Sequence, residues 1–176
     1  QDAQRAIQMV RERAAEWNID PHKIGIMGFS AGGHLAASAS TRFNDPVIAN
    51  PKNTSLRPDF SILIYPVISF MEGITHRGSR ENLMGKNPDP KVLEKYSNEL
   101  AAGPKTPPAF LVHAGDDASV PVKNSIVYYE ALQKHKIYSN MIIYPKGGHG
   151  FGMKNKTSVI QWMNQLKDWM GDNKFL

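Results

Sequence analysis

Residues 23–37 read KIGIMGFSAGGHLAA, and the fold follows from this stretch. Lys23–Phe29 is a short apolar run ending in glycine-rich sequence, the composition of a buried strand. Ala31–Arg42 then returns to helical composition, with Leu35, Ala36 and Ala39 expected on one face. Strand, tight turn and helix follow one another without a loop, and Ser30 lies on the turn. Gly28, Phe29, Ser30, Ala31 and Gly32 form the pattern G-x-S-x-G. So sharp a turn forces the serine into strained backbone, and small residues at Gly28 and Gly32 are expected because strand and helix approach too closely for a Cβ. Ser30 should project above the sheet, with the Ala31 N–H at the positive end of the helix, placed to donate to an oxyanion. The pentapeptide arises by chance in roughly one protein of this length in twenty. Taken alone it fits a phosphate-binding turn at a helix start equally well.

Outward from this stretch the chain alternates strands and helices. Gln1–Trp17 carries Ala3, Ala6, Ile7, Val10, Ala14 and Trp17 at steps of three and four, the stripe of an amphipathic helix. Asp59–Tyr65 (DFSILIY), Ala109–His113 (AFLVH) and Asn140–Tyr144 (NMIIY) are continuous apolar runs, as in the buried strands of a parallel sheet. Val122–Lys134 is expected to be a helix with Ile126, Tyr129 and Leu132 inward, and Val159–Met170 another with Val159, Trp162, Met163, Leu166 and Met170 inward. Such alternation predicts a three-layer α/β fold around a parallel sheet, one domain over residues 1–176. The connection Val67–Pro108 is polar and rich in Pro and Gly, with short helices expected at Arg77–Met84 and Pro90–Asn98. An insertion of this length is expected to be a lid or pocket wall.

Composition narrows the chemistry. The 176 residues are 41% hydrophobic and 21% charged, which fits one ordinary domain and excludes disorder, collagen and coiled coil. Cysteine is absent, which removes disulfides, thiolate–zinc sites and a cysteine nucleophile. The formal charge is +5, but the 21 Lys and Arg are scattered singly or in pairs from Arg5 to Lys174. A dispersed excess reads as a solvated surface, so no nucleic-acid or membrane partner is expected. No run approaches the ~18 consecutive apolar residues of a transmembrane helix. The chain starts at Gln1 with no basic-then-apolar leader, which reads as a processed or cut end.

A serine hydroxyl needs a base to act as a nucleophile, and the base needs an acid to hold its tautomer. Candidates for both follow strands. AFLVH runs into Ala114-Gly115-Asp116-Asp117-Ala118-Ser119-Val120-Pro121, and NMIIY into Pro145-Lys146-Gly147-Gly148-His149-Gly150-Phe151-Gly152. Reactive groups collect at the carboxyl ends of strands in an open parallel sheet. Ser30, then Asp116 or Asp117, then His149 is the chain order of the α/β-hydrolase triad.

With QDAQRAI, IDPHKIGIMGFSAGGHLAA, ILIYPVIS, HAGDDASVPVKNS and YPKGGHGFG in this order, nearly the whole chain resembles the carboxyl-terminal two-thirds of an α/β-hydrolase esterase. The similarity is to the acetylxylan-esterase-like and xylanase-B-like esterases of gut and rumen bacteria. It implies removal of acetyl or other small acyl groups from plant cell-wall saccharides, with no metal or cofactor. It implies Ser30 as nucleophile, His149 as base and, from the spacing to the Val-Pro pair, Asp117 rather than Asp116 as acid, leaving Asp116 to bind loop amides. The family's His-Gly-Gly motif, source of a second oxyanion donor, falls upstream of Gln1. KIGIMGF would then be an edge strand of central composition, and an apolar open edge is an aggregation hazard. A preceding segment or a second chain is therefore expected to cover Lys23–Phe29. A periplasmic or secreted location is favoured.

Two other functions fit the same pattern: a serine peptidase of the oligopeptidase type, and a truncated hydrolase-fold module that no longer catalyses. The remaining histidines have simpler expected roles. His22, His76 and His135 read as surface, His34 as packing or capping, and His113 as structure beneath the acid loop. Trp162, Trp169, Tyr128 and Tyr129 read as core, while Tyr65, Pro66 and Phe151 fall near strand ends beside the expected triad.

Overall fold

A computed structural model describes residues 1–176. The element order is α1 (Asp2–Glu12), β1 (Gly25–Phe29), α2 (Ala31–Thr41), β2 (Phe60–Ile64), α3 (Arg77–Met84), α4 (Pro90–Tyr96), α5 (Asn98–Ala101), β3 (Ala109–Ala114), α6 (Lys123–Lys134), β4 (Ser139–Tyr144) and α7 (Trp162–Asp172). The four strands form one parallel sheet in the order β1-β2-β3-β4, so each crossover moves the chain one place along the sheet. β1 and β4 are its edges. No helix is long and apolar enough to cross a membrane.

Alternation along the central strands divides their side chains between two layers. Phe60, Ile62, Ile64, Phe110, Val112 and Ala114 pack with Trp162, Leu166 and Trp169 of α7 on one face. Leu63, Ala109 and Leu111 pack with Ala36 and Ala37 of α2 and with Tyr128 and Leu132 of α6 on the other. Each fully buried Leu, Ile or Phe contributes about 1.5–3 kcal/mol. Because both faces are covered, β2 and β3 are buried throughout and apolar except at Ser61 and His113.

Several expectations change in detail. The first helix ends at Glu12 rather than Trp17: Ile19 N–H closes a turn onto the Ala14 carbonyl and Asn18 takes φ 53. Trp17 is 43% exposed, under the Arg13 guanidinium. The inner face of α1 includes Gln4 and Gln8, which an apolar stripe hides. Their amides hold the 45–50 segment through Asp45 O, Val47 N–H, Ala49 O and Asn50. Asp59 lies just before β2, where its carboxylate accepts from Arg11 and from the Ile24 N–H and so ties α1 to the start of β1. Leu35 is exposed on α2, and Tyr128 rather than Tyr129 is the fully buried tyrosine of α6. The last helix starts at Trp162, which leaves Val159 in the preceding turn at 98% exposure.

The connection after β2 is not uniformly surface. Val67, Ile68 and Phe70 are buried, and the Asn124 side chain accepts from the Ile68 and Ser69 N–H groups. The helix expected at Pro90–Asn98 breaks into α4 and α5, because Ser97 is extended (φ −86, ψ 107) and its hydroxyl serves Phe70 N–H and Leu93 O.

Candidate active site

β1, β3 and β4 deliver Ser30, Asp117 and His149 to the carboxyl end of the sheet. Ser30 directly follows β1 and caps α2, at φ 52 and ψ −120. This conformation costs a non-glycine residue about 1–3 kcal/mol and persists only where neighbours over-determine it. Two backbone bonds do so: Ser30 N–H donates to Ile64 O and Val67 N–H to Ser30 O, both at 3.0 Å. Packing adds a third constraint. A Cβ on Gly28 would lie 2.1 Å from the Gly32 carbonyl oxygen, and one on Gly33 would lie 2.6 Å from Pro66. Gly32 differs from the expectation. A Cβ there would meet nothing within 4 Å, so close approach of strand and helix excludes a side chain at Gly28 and Gly33 but not at Gly32.

The result is a hydroxyl free of any capping bond to its own helix. Ser30 Oγ lies 2.8 Å from His149 Nε2, and His149 Nδ1 lies 2.7 Å from Asp117 Oδ2. Asp117 can only accept, so Nδ1 carries the proton and Nε2 presents its lone pair to the serine O–H. The Ala31 N–H is the first of α2 and takes part in no capping or loop hydrogen bond; Ala31 itself is exposed.

Asp116 and Asp117 have separate tasks. Asp117 is buried, and its other oxygen, Oδ1, accepts from the Ser119 and Val120 N–H groups at 2.9 Å. Burial alone would push its carboxyl up. The hydrogen bonds from His149, Val120 and Ser119 outweigh it, and the carboxyl titrates below its ordinary range. Asp116 is exposed and accepts from Gly148 N–H at 2.8 Å, linking the acid loop to the histidine loop.

Further side chains hold the histidine loop. The ring of Tyr65, a residue at φ 38, meets the His149 imidazole edge-on at 4.8 Å and Phe151 at 4.8 Å, and its hydroxyl accepts from Gly152 N–H. Asn155, 1% exposed, donates to Lys146 O. Sequence reasoning missed Asn155, which sits in an irregular segment with no periodicity to mark it. His34 packs on Phe70 and contacts the Tyr96 carbonyl, and His76 caps α3 by accepting from Ser79 N–H rather than being mere surface. No group of three or more His, Asp and Glu side chains converges so as to hold a metal ion. A cavity of about 540 Å³ opens beside Ala31, lined also by His34, Phe70, Ser79, Asn82 and Tyr96.

The parallel sheet, with a serine turn after one strand and the acid and histidine loops after two later ones, defines an α/β-hydrolase fold of the esterase kind. A model of the BD-FAE family matches residues 1–132, and the chain belongs to that family. It is 43% identical over 174 residues to an acetylxylan esterase of Xylanibacter ruminicola, covering 96% of this chain and 34% of that protein. It is 37% identical over 164 residues to an endo-1,4-beta-xylanase B of Butyrivibrio fibrisolvens, covering 92% of this chain and 26% of that protein. The crystal structure of an acetyl ester-xyloside bifunctional hydrolase from Caldicellulosiruptor lactoaceticus superposes with a TM-score of 0.92 at 42% identity, over 99% of this chain and 65% of that one. The chain thus spans about a third or less of the length of these curated relatives.

Proposed function

We propose that this chain is a serine carboxylesterase that removes small, acetyl-like acyl groups from plant cell-wall saccharides. The observation that carries the proposal is the continuous hydrogen-bonded chain from Ser30 Oγ through His149 to a buried Asp117, with the hydroxyl held at a strained turn. Ser30 Oγ attacks the ester carbonyl carbon while its proton passes to His149 Nε2. Asp117 stabilises the imidazolium, and the Ala31 N–H donates to the oxyanion. Collapse breaks the bond to the alcohol oxygen, which takes the proton from His149. Water, deprotonated by the same imidazole, then releases the acid and restores Ser30.

The relatives' names support the substrate class. The segment 67–108 serves as a pocket wall in this proposal, supported by Phe70, Ser79, Asn82 and Tyr96 in the cavity beside Ala31. Cover for the open edge of β1 comes from a further polypeptide segment or a second chain. In support, Met27 on that strand is 40% exposed and the relatives are longer.

Hydrolysis of p-nitrophenyl acetate by the wild type and by Ser30→Ala is the test. The variant should lose about 10⁶ in kcat and all labelling by a fluorophosphonate. Equal rates remove the assignment. Faster turnover of peptide anilides than of acetylated xylo-oligosaccharides overturns the substrate class.

A further inference from the structure

The buried imidazole of His113 has no part in the proton transfers just described, yet it lies against the acid. It is fully buried at the end of β3. Its Nε2 is 2.9 Å from the Val120 carbonyl oxygen and 3.3 Å from Asp117 Oδ2, the same oxygen that faces His149. Its Nδ1 is 2.8 Å from Ser125 Oγ on α6. Resting on the serine-hydrolase reading, we propose that His113 is a positioning residue for the acid: a neutral imidazole with its proton on Nε2, clamping the Val120 peptide and directing a positive N–H edge at Asp117.

The tautomer follows from the partners. A carbonyl oxygen can only accept, so Nε2 must donate to Val120 O. Burial pushes this imidazole down, and the nearby Val120 carbonyl and Asp117 carboxylate offset that only in part, so the ring is neutral near pH 7. Nδ1 then holds a lone pair, which accepts the Ser125 O–H. The opposite tautomer would keep the Ser125 bond, since a hydroxyl can also accept, but it would lose the bond to Val120 O and turn the Nε2 lone pair toward a carbonyl and a carboxylate, and a buried group left unpaired costs about 1–3 kcal/mol.

The clamp acts on the acid from two directions. Val120 gives its carbonyl to His113 and its N–H to Asp117 Oδ1, so the imidazole holds one side of the residue whose other side binds one carboxylate oxygen. Its own N–H edge lies beside the other oxygen. Asp117 can therefore keep its orientation toward His149 through a catalytic cycle in which the charge on His149 appears and disappears. A filler side chain of equal size would occupy the space without holding the peptide.

The test uses the ¹⁵N resonances of the wild-type histidines together with His113→Leu and His113→Gln. His113 should show a protonated Nε2 and an unprotonated Nδ1 near pH 7. An Nδ1–H tautomer, or an imidazolium at that pH, overturns the proposal whether or not either variant folds. At equal folded fraction, His113→Leu should lower kcat on p-nitrophenyl acetate about ten- to a hundred-fold with KM unchanged, through misplacement of the acid. His113→Gln, which keeps a terminal N–H, should recover most of that loss. Full activity in the leucine variant, or a glutamine variant no better than leucine, reduces His113 to core filler. A wild type that neither hydrolyses esters nor reacts with a fluorophosphonate sinks the serine reading instead, and the tautomer still decides the role of His113.

Discussion

The Ser30 turn and the His149 loop meet at one hydrogen bond but are built differently. Ser30 is held by backbone, through its N–H on Ile64 O and the Val67 N–H on its carbonyl, and by the want of space at Gly28. His149 is held by side chains from distant elements: Asp117 on its ring, Asp116 on Gly148, Tyr65 on Gly152 and, farther along the loop, Asn155 on Lys146. The first arrangement rests on backbone bonds and steric crowding, so it tolerates little substitution at a few positions. The second is a set of polar contacts, each worth about 0.5–1.5 kcal/mol, so it should weaken gradually.

Short of removing Ser30 itself, the largest effect should come from the link between the two regions. Asp117→Asn preserves shape but can donate its amide to Nδ1, which selects the wrong tautomer of His149. A fall of about 10⁴ in kcat is expected on p-nitrophenyl acetate, and a fall of less than ten-fold shows that the acid lies elsewhere. Asp117 also makes stability depend on pH. Its folded value lies below that of the unfolded chain, so its contribution is fully present above about pH 4 and disappears as pH falls through the folded value. Denaturant titrations should show the wild type losing stability there, whereas Asp117→Asn loses less.

Next comes the steric contrast inside the serine turn. Gly28→Ala places a Cβ against the backbone of Gly32 and should destabilise by about 1–3 kcal/mol, since nothing flexible can give way. Gly32→Ala, with open space, should stay within about 0.5 kcal/mol of the wild type in the same thermal melts. Equal melting temperatures for the two alanine variants contradict the crowding assigned to Gly28. The smallest effect belongs to the polar loop. Tyr65→Phe keeps the ring against His149 but leaves Gly152 N–H without its acceptor, so a loss of about 1 kcal/mol and a few-fold drop in kcat are expected. A hundred-fold drop places the Tyr65 hydroxyl in the chemistry itself.

Much of this was legible from residue order. The strand-turn-helix at 23–42, the apolar runs that became β2 and β3, and the placement of Ser30, Asp117 and His149 just past strands all follow from local pattern. Gln4 and Gln8 were not legible, because a polar residue enters a helix's buried face only when a distant backbone needs its amide. Val159 misled for the opposite reason: helical spacing continues into a turn whose start depends on where Trp162 finds its pocket.

The sequence alone determined the parallel α/β architecture, the serine turn and the order of the three site residues. Strand composition, glycine placement and chain order are properties of neighbours along the chain. The residues alone left Asp116 and Asp117 open, and the resemblance pointed to Asp117; the tertiary structure puts Asp117 on His149 and Asp116 on Gly148, crowds Gly33 rather than Gly32, and brings His113 Nε2 to 3.3 Å from Asp117 Oδ2. Those outcomes turn on how loops and strands are placed against one another in space, which periodicity along the chain does not encode.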